Sequence, residues 1–458
     1  MTAPGEKPEP QSGRIAKAVW FSKRRCASLR PTMLDSKSIG ERRDEIAESC
    51  RNRGLSSVDV DSIVSIYLEH NALVTQLGEV NRQRNEHQKS GKRKMDGTER
   101  EAHTAAGREF KDRVGEIEER LRESEARLNT GLRSLPNYIH PESPVGGEEA
   151  FRVISHSGDV PQFDFEPKDH LQICADLDLV DFESAAKVAG SKWYYLKNEA
   201  SLLDLALQRF ALDILMEEGF TPVTTPDVAR PEIIEGLGFN PRGEESQIYS
   251  IEGHDLCLVG TAEITVGGMY ADTIFDEADL PLKVAGLSHC FRTEAGAAGR
   301  ESKGLYRVHQ FSKTEMFVFT TPEQSEEQHQ DLLRIEQRIF DALELPYRVI
   351  DIATGDLGAP AYRKFDLEAW MPGRGENGDW GEITSTSNCT DFQARRLKIR
   401  FRRKGSKKNE IVHTLNGTAI SNARAILALL EVHQRADGSV AIPKALQPFM
   451  GRDSIGPR

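Results

Sequence analysis

Along residues 60–135 a 3.5-residue rhythm dominates the chain. Ile63, Tyr67, His70, Val74 and Leu77 mark a first stretch, and Phe110, Val114, Ile117, Leu121, Ser124, Leu128 and Leu135 a second. That spacing lays one seam along each of two helices that pack on each other. Pro136 ends the second helix, and residues 88–94 with Gly91 and Gly97 supply a turn between the two. The result is an antiparallel hairpin. A helix of about thirty residues is about 45 Å long, and two of them bury too little core to stand alone, so the hairpin projects from something larger or lies on it. Its tip carries Lys89, Lys92, Arg93 and Lys94 beside His87, flanked by Glu86 and Asp96. Such a run reads as a solvated loop or as a phosphate-contacting end; a projecting arm with no other evident purpose favours the second.

The 458 residues leave room for two or three domains. A hydrophobic share of 38% with 29% charged residues suits a soluble globular protein, and no apolar run reaches the roughly 18 residues of a membrane span. The net charge of −12 weakens a nucleic-acid reading without excluding it, because a polyanion binds local patches. Six scattered cysteines without a CxxC pair give neither a disulfide framework nor zinc spacing, so zinc is not expected and a reducing compartment is. Residues 1–12 are Pro-rich and polar, and expected to be disordered. Residues 13–30 hold Arg14, Lys17, Lys23, Arg24, Arg25 and Arg30 and no acid. They read as a basic extension or an upstream start, with an organelle transit peptide as the alternative; location is accordingly cytoplasmic, or organellar if 1–32 is a transit peptide. The expected domains are 1–32 (extension), 33–140 (N-terminal domain with the arm) and 141–458.

Within that last domain, residues 201–218 show helical spacing through Leu203, Leu207, Phe210 and Ile214, ended by Gly219. Strands are expected at 220–224, 256–258, 282–287, 315–320, 348–352, 364–370, 382–387 and 411–415, and helices at 323–343 and 421–434. No βαβ rhythm appears, so the fold class is α+β, a mixed, mainly antiparallel sheet flanked by helices. There is no GxxxxGK[ST] loop, so any use of ATP proceeds without a P-loop.

Four segments carry chemistry. Residues 290–317 pack Arg292, Thr293, Glu294, Arg307, Val308, His309, Phe311, Lys313 and Glu315 around a small-residue loop at 295–299. The arginines suit bidentate phosphate contacts, Phe311 suits stacking on a base, and Glu315 can receive an ammonium or a hydroxyl. The triplet Thr261-Ala262-Glu263 is short and weak by itself. Residues 381–389, with Glu382, Ile383, Thr384 and Ser385, put hydroxyls on both faces of a strand, as the lining of a polar cavity would require. In 415–431 a strand is expected to turn through Gly417 into an apolar helix whose one arginine, Arg424, needs a partner: a snorkelling arginine, or an anion clamp at a nucleotide.

The stretch FRTEAGAAGRESKGLYRVHQF resembles motif 2 of class II aminoacyl-tRNA synthetases, and LNGTAISNARAILALLE resembles motif 3. The 201–218 helix, the strand after it and Pro226 are similar to motif 1. The TAE triplet, HQF, EITSTSNC and the heptad hairpin before the core resemble the seryl enzymes of bacterial and organellar type, over about residues 33–451. Gly260 stands where many members carry proline, which implies a looser turn. The resemblance implies a class II core behind a coiled-coil arm, and an ATP-dependent serine–tRNA ligase. Arg292 would hold the α-phosphate and Arg424 the γ-phosphate. Glu294 would meet the adenine amino group, Phe311 would stack under the ring, and Thr293, Arg307 and Val308 would lie beside them. Glu382, Ile383, Thr384 and Ser385 would line the ATP site, with Glu382 and Ser385 on magnesium. Thr261, Ala262, Glu263, Arg292, Glu315 and Thr418 would form the serine pocket. Lys89, Lys92, Arg93 and Lys94 would meet the long variable arm of tRNA(Ser) across a homodimer, and the family also serylates tRNA(Sec) where that exists. Two rivals compete. A ligase charging a carrier protein would lack the arm. A catalytically inactive, tRNA-binding or regulatory paralogue would be expected to lose Arg292, Glu315 or Arg424, and all three are present.

Overall fold

The computed structural model describes residues 39–240, 247–294 and 303–457; the extension 1–32 and the loop 295–299 lie outside them. Helix α1 (Arg43–Asn52) precedes two long helices. Asp59 caps α2 (Val60–Ser90) by accepting from Ser62 N, and Asp96 with Glu99 forms the capping box that starts α3 (Gly97–Ser134). Their 31 and 38 residues correspond to about 46 and 57 Å. Leu73, Val80, Val114 and Ile117 form the buried seam, flanked by Leu77, Phe110 and Leu121. At the base, Ile46 and Cys50 of α1 join Ile63, Leu128 and Leu132.

The hairpin differs from its expected form in two details. Val74 is 49% exposed and Leu73, at 3%, takes its place in the seam; with apolar residues side by side, spacing alone does not choose. The turn starts at Gly91, because residues 88–90 complete α2. The end is closed by the stacked rings of His87 and His103, with centroids 3.8 Å apart. The Nε2 of each lies within 3.0 Å of the other residue's carbonyl.

An eight-stranded sheet carries the rest: β1 (Arg152–Ser157), β2 (Thr221–Thr224), β3 (Leu282–Phe291), β4 (Gln310–Thr320), β5 (Tyr347–Asp351), β6 (Arg363–Met371), β7 (Asp379–Thr390) and β8 (His413–Ser421). Their order is β1-β5-β6-β7-β8-β4-β3-β2. Only β2 and β3 run parallel in it. Helices α4 (His170–Asp176), α5 (Asn198–Glu217), α6 (Ala262–Met269), α7 (Ser325–Ala342) and α8 (Asn422–Val432) cover it. The main core joins Leu207 and Phe210 of α5, Ile335 and Ile339 of α7, and Ile426 and Leu430 of α8 to the sheet. Arg53, just after α1, ties the arm to this domain by donating to the carbonyls of Asn137, Tyr138, Gly358 and Ala361.

Gly417 does not turn the chain. It lies in mid-strand in β8, paired with Thr386 on one side and Met316 on the other. A Cβ there would stand 3.1 Å from Glu336 Oε1, Met316 Cε and Thr386 Oγ1, so what favours glycine is close packing by α7 and by both neighbouring strands. Strand β1 was not foreseen either. It is an edge strand with a mostly exposed face and no apolar alternation.

Candidate active site

Two β-bulges shape the site. Glu368 pairs with Glu382 and Asp366 with Ser385, so one extra residue of β7 is inserted between those pairs. Asp366 and Glu368 are two apart and share a face. Glu382 and Ser385, three apart, are therefore brought to that same face, which regular alternation would forbid. In β8 the register shifts between Thr418 and Ile420, with Thr418 opposite Glu315 of β4. Phe311, Lys313 and Glu315 alternate along β4 and so share one face.

Between these strands and α8 a cavity of ≈ 470 Å³, open to solvent, is walled by Arg292, Glu294, Arg307, Val308, Phe311, Glu382, Ile383, Thr384, Thr418 and Arg424, and also by Leu305, Tyr306, Lys313, Ser421 and Ala423. The Arg292 guanidinium lies 5.3 Å from the Phe311 ring centroid, and its Nε donates to Gly260 O at 3.4 Å. That bond holds the turn expected to be loose. Glu294 takes φ +52 and pairs with Arg307 at 3.3 Å. Across the cavity Arg424 Nη1 reaches both the Glu382 carbonyl at 3.0 Å and its Oε1 at 3.1 Å. Burial disfavours the charge on Glu382, yet the cations Arg424, Lys364 and Arg292 outweigh it and hold its carboxyl well below the usual range. The side chain is 42% exposed toward the cavity. Ser385, half-buried on the same face, is not in the cavity wall, and its hydroxyl bonds Asp366.

A second group adjoins the cavity. Glu315 forms a buried ion pair with Lys313 and accepts from Thr418 Oγ1 at 3.4 Å. Thr261 caps α6. Glu263 Oε1 accepts from Gln393 Nε2 at 2.6 Å and Asn416 Nδ2 at 3.0 Å. Burial first, then the charge of Glu315, pushes the Glu263 carboxyl up to about 7. The Arg292–Gly260 bond places the start of the TAE triplet beside a wall residue, but Thr261, Ala262, Glu263, Thr293 and Glu315 are not themselves in the wall. Lys89, Lys92, Arg93 and Lys94 sit apart, at the α2–α3 connection, with Arg93 3.6 Å from Glu99.

Sequence reasoning gave no role to Lys313, Gln393, Asn416 or Tyr306. Lys313 had a signal in its place two residues from both Phe311 and Glu315. Gln393 and Asn416 had none, because their partner Glu263 is more than a hundred residues away.

The comparisons agree with this geometry. The seryl-tRNA synthetase N-terminal domain family matches residues 33–139, and the tRNA synthetase class II core domain (G, H, P, S and T) matches 247–433. A serine–tRNA ligase from Treponema denticola is 53% identical over 93% of this chain and 100% of its own length. One from Rhodopirellula baltica is 55% identical over 92% and 99%. The structure of seryl-tRNA synthetase from Pyrococcus horikoshii complexed with ATP superposes with a TM-score of 0.88 at 42% identity, over 93% of this chain and 100% of that one. With both of its domains matched and relatives aligned along nearly all of its length, the chain belongs to the seryl-tRNA synthetase family.

Proposed function

We propose that the protein is a serine–tRNA ligase that activates L-serine with ATP and transfers it to tRNA(Ser). The observation that carries the reading is one cavity with Arg292 and Arg424 in its wall, adjoined by the buried Lys313–Glu315–Thr418 set. Phe311 stacks under adenine and Glu294 meets its amino group; Arg292 holds the α-phosphate and Arg424 the γ-phosphate. Glu315 accepts from the serine hydroxyl, with Thr261, Ala262, Glu263 and Thr418 around it. An alanine substrate leaves one acceptor position of that buried carboxylate unfilled, a mismatch that discriminates against it; threonine is excluded by size.

The serine carboxylate attacks the α-phosphorus in line and pyrophosphate leaves. The nucleophile is already ionised, so no general base is needed. The side chains contribute positioning and charge stabilisation. A ribose hydroxyl at the tRNA 3′ end then attacks the carbonyl carbon of the seryl-adenylate, forming the seryl ester and releasing AMP and the hydroxyl proton. Glu382 and Ser385 fit magnesium: both are oxygen donors on one face of β7, and Glu382 is held charged. When bound, the ion neutralises phosphate charge.

The working form is a homodimer. Leu202 and Leu205 of α5, 45% and 64% exposed, offer apolar surface for a second copy to cover. The hairpin then holds the variable arm of tRNA(Ser) across the dimer, and tRNA(Sec) is a further substrate where it exists. The compartment is the cytoplasm, or an organelle if residues 1–32 are a transit peptide. No helix among the described residues is long and apolar enough to cross a membrane.

A charging assay with tRNA(Ser) tests this. Replacing Lys89, Lys92, Arg93 and Lys94 together by glutamine is expected to weaken tRNA(Ser) charging by about 10-fold or more at moderate salt. Serine-dependent pyrophosphate exchange should be unchanged. Equal losses in both assays would contradict a tRNA role for the tip.

A further inference from the structure

Arg424 faces a difficulty that its own hydrogen bonds do not resolve. In the structure its guanidinium is held by Glu382. With magnesium bound, the Glu382 carboxylate would be shared with the ion, and of its two contacts with Glu382 Arg424 would keep only the bond to the backbone carbonyl. An arginine anchored only there would be weakly held in the state in which it must grip phosphate. A second support is present. The Tyr306 ring lies under the Arg424 guanidinium, 4.8 Å from ring centroid to Cζ, and under Arg374 at 4.7 Å. Both distances fall within the range of a cation–π contact. A π-face attracts a guanidinium without consuming any of its N–H donors, so Arg424 keeps its fork for phosphate.

The segments carrying Tyr306 and Arg374 are tied together by one carboxylate. Glu431 lies on α8 seven residues after Arg424, about two turns along the same face. Its Oε2 accepts from Gly373 N at 2.8 Å, next to Arg374. Its Oε1 lies 2.7 Å from His170 Nδ1, and His170 Nε2 accepts from Leu305 N at 3.3 Å, next to Tyr306. Glu431 thus fixes both turns, the one carrying Arg374 and the one carrying Tyr306. Gly304 admits this closeness: its φ is +59, and a Cβ there would stand 2.0 Å from His170 Nε2.

We infer that Tyr306 is a positioning residue, one that holds the Arg424 guanidinium at the phosphate end of the ATP site independently of Glu382. The inference rests on the reading of Arg424 as the γ-phosphate ligand. Its signature is selective for the nucleotide's outer phosphates. AMP, with its single phosphate on Arg292, is indifferent to Tyr306; ATP is not.

The test is equilibrium binding of ATP and of AMP to the full-length enzyme with magnesium, for wild type, Tyr306→Leu, Tyr306→Phe, Arg374→Ala and Arg424→Ala. Tyr306→Leu is expected to weaken ATP binding by about tenfold and leave AMP binding at the wild-type value. Tyr306→Phe, which keeps the ring face, restores ATP binding, and Arg374→Ala gives a smaller ATP-selective loss. If Tyr306→Leu does not fold, Arg374→Ala against Tyr306→Phe still reads the contact of the ring with the two guanidinium groups. Equal weakening of ATP and AMP, or an ATP affinity untouched by Tyr306→Leu and Arg374→Ala while Arg424→Ala selectively weakens ATP, overturns the inference. Failure of Arg424→Ala itself to separate ATP from AMP overturns the Arg424 reading, and the inference with it.

Discussion

Arg424→Ala should lower the turnover of serine-dependent pyrophosphate exchange by about 10²–10³-fold, the usual consequence of removing one preorganised charge donor from a site of developing negative charge. The KM for serine should stay near its wild-type value, because Glu315, Thr418 and Glu263 do not touch Arg424. Two effects combine in the loss. On the proposed reading the γ-phosphate loses a bidentate partner, and Glu382 loses the cation that contributes most to holding its carboxyl charged. Arg424→Lys should recover only part of the activity, since an ammonium offers a point charge where the site is built for a fork. Steady-state exchange kinetics with ATP and serine varied in turn check this. A rise in the serine KM with unchanged turnover would place Arg424 on the wrong substrate.

Glu315→Ala should damage both fold and function. The carboxylate is 2% exposed and its partner Lys313 7%, so the variant leaves a buried ammonium without its counter-charge. Breaking a buried pair from one side costs about 3–5 kcal/mol, which thermal unfolding should report as a drop of several degrees. The kcat/KM for serine should fall by about 10²–10³-fold on the same energy scale. Pairing Glu315→Leu with Lys313→Met separates the two effects. Apolar replacement of a whole buried pair is often neutral for stability, so the double variant should regain its melting temperature and stay inactive with serine. A stable and active double variant would show that Glu315 only supports the sheet.

The hairpin was legible because a 3.5-residue repeat leaves few alternatives, and its errors lie where the code is degenerate. Leu73 and Val74 are both apolar, and only packing against α3 selects Leu73. Residues 88–90 are polar and turn-like, yet they continue a helix already formed. Arg292, Glu294, Phe311, Glu382, Thr418 and Arg424 were nameable because class II motifs are long and ordered, and the structure brings them to one cavity. The bulge that puts Glu382 and Ser385 on one face was not legible, since it is a property of the pairing of β7 with β6. Gly417 read as a turn because glycine usually is one; its reason is the close approach of Glu336 on α7 and of Met316 and Thr386 on the neighbouring strands, seen only in the fold. The Glu431–His170 brace lies beyond local pattern for the same reason, its members standing 261 positions apart.

The most direct test of the central claim is ATP–pyrophosphate exchange by the purified protein with magnesium, comparing serine with threonine, alanine and glycine. The account predicts exchange that depends on serine and is weak or absent with the other three. A folded protein that exchanges with none of them, or equally well with alanine, would contradict it.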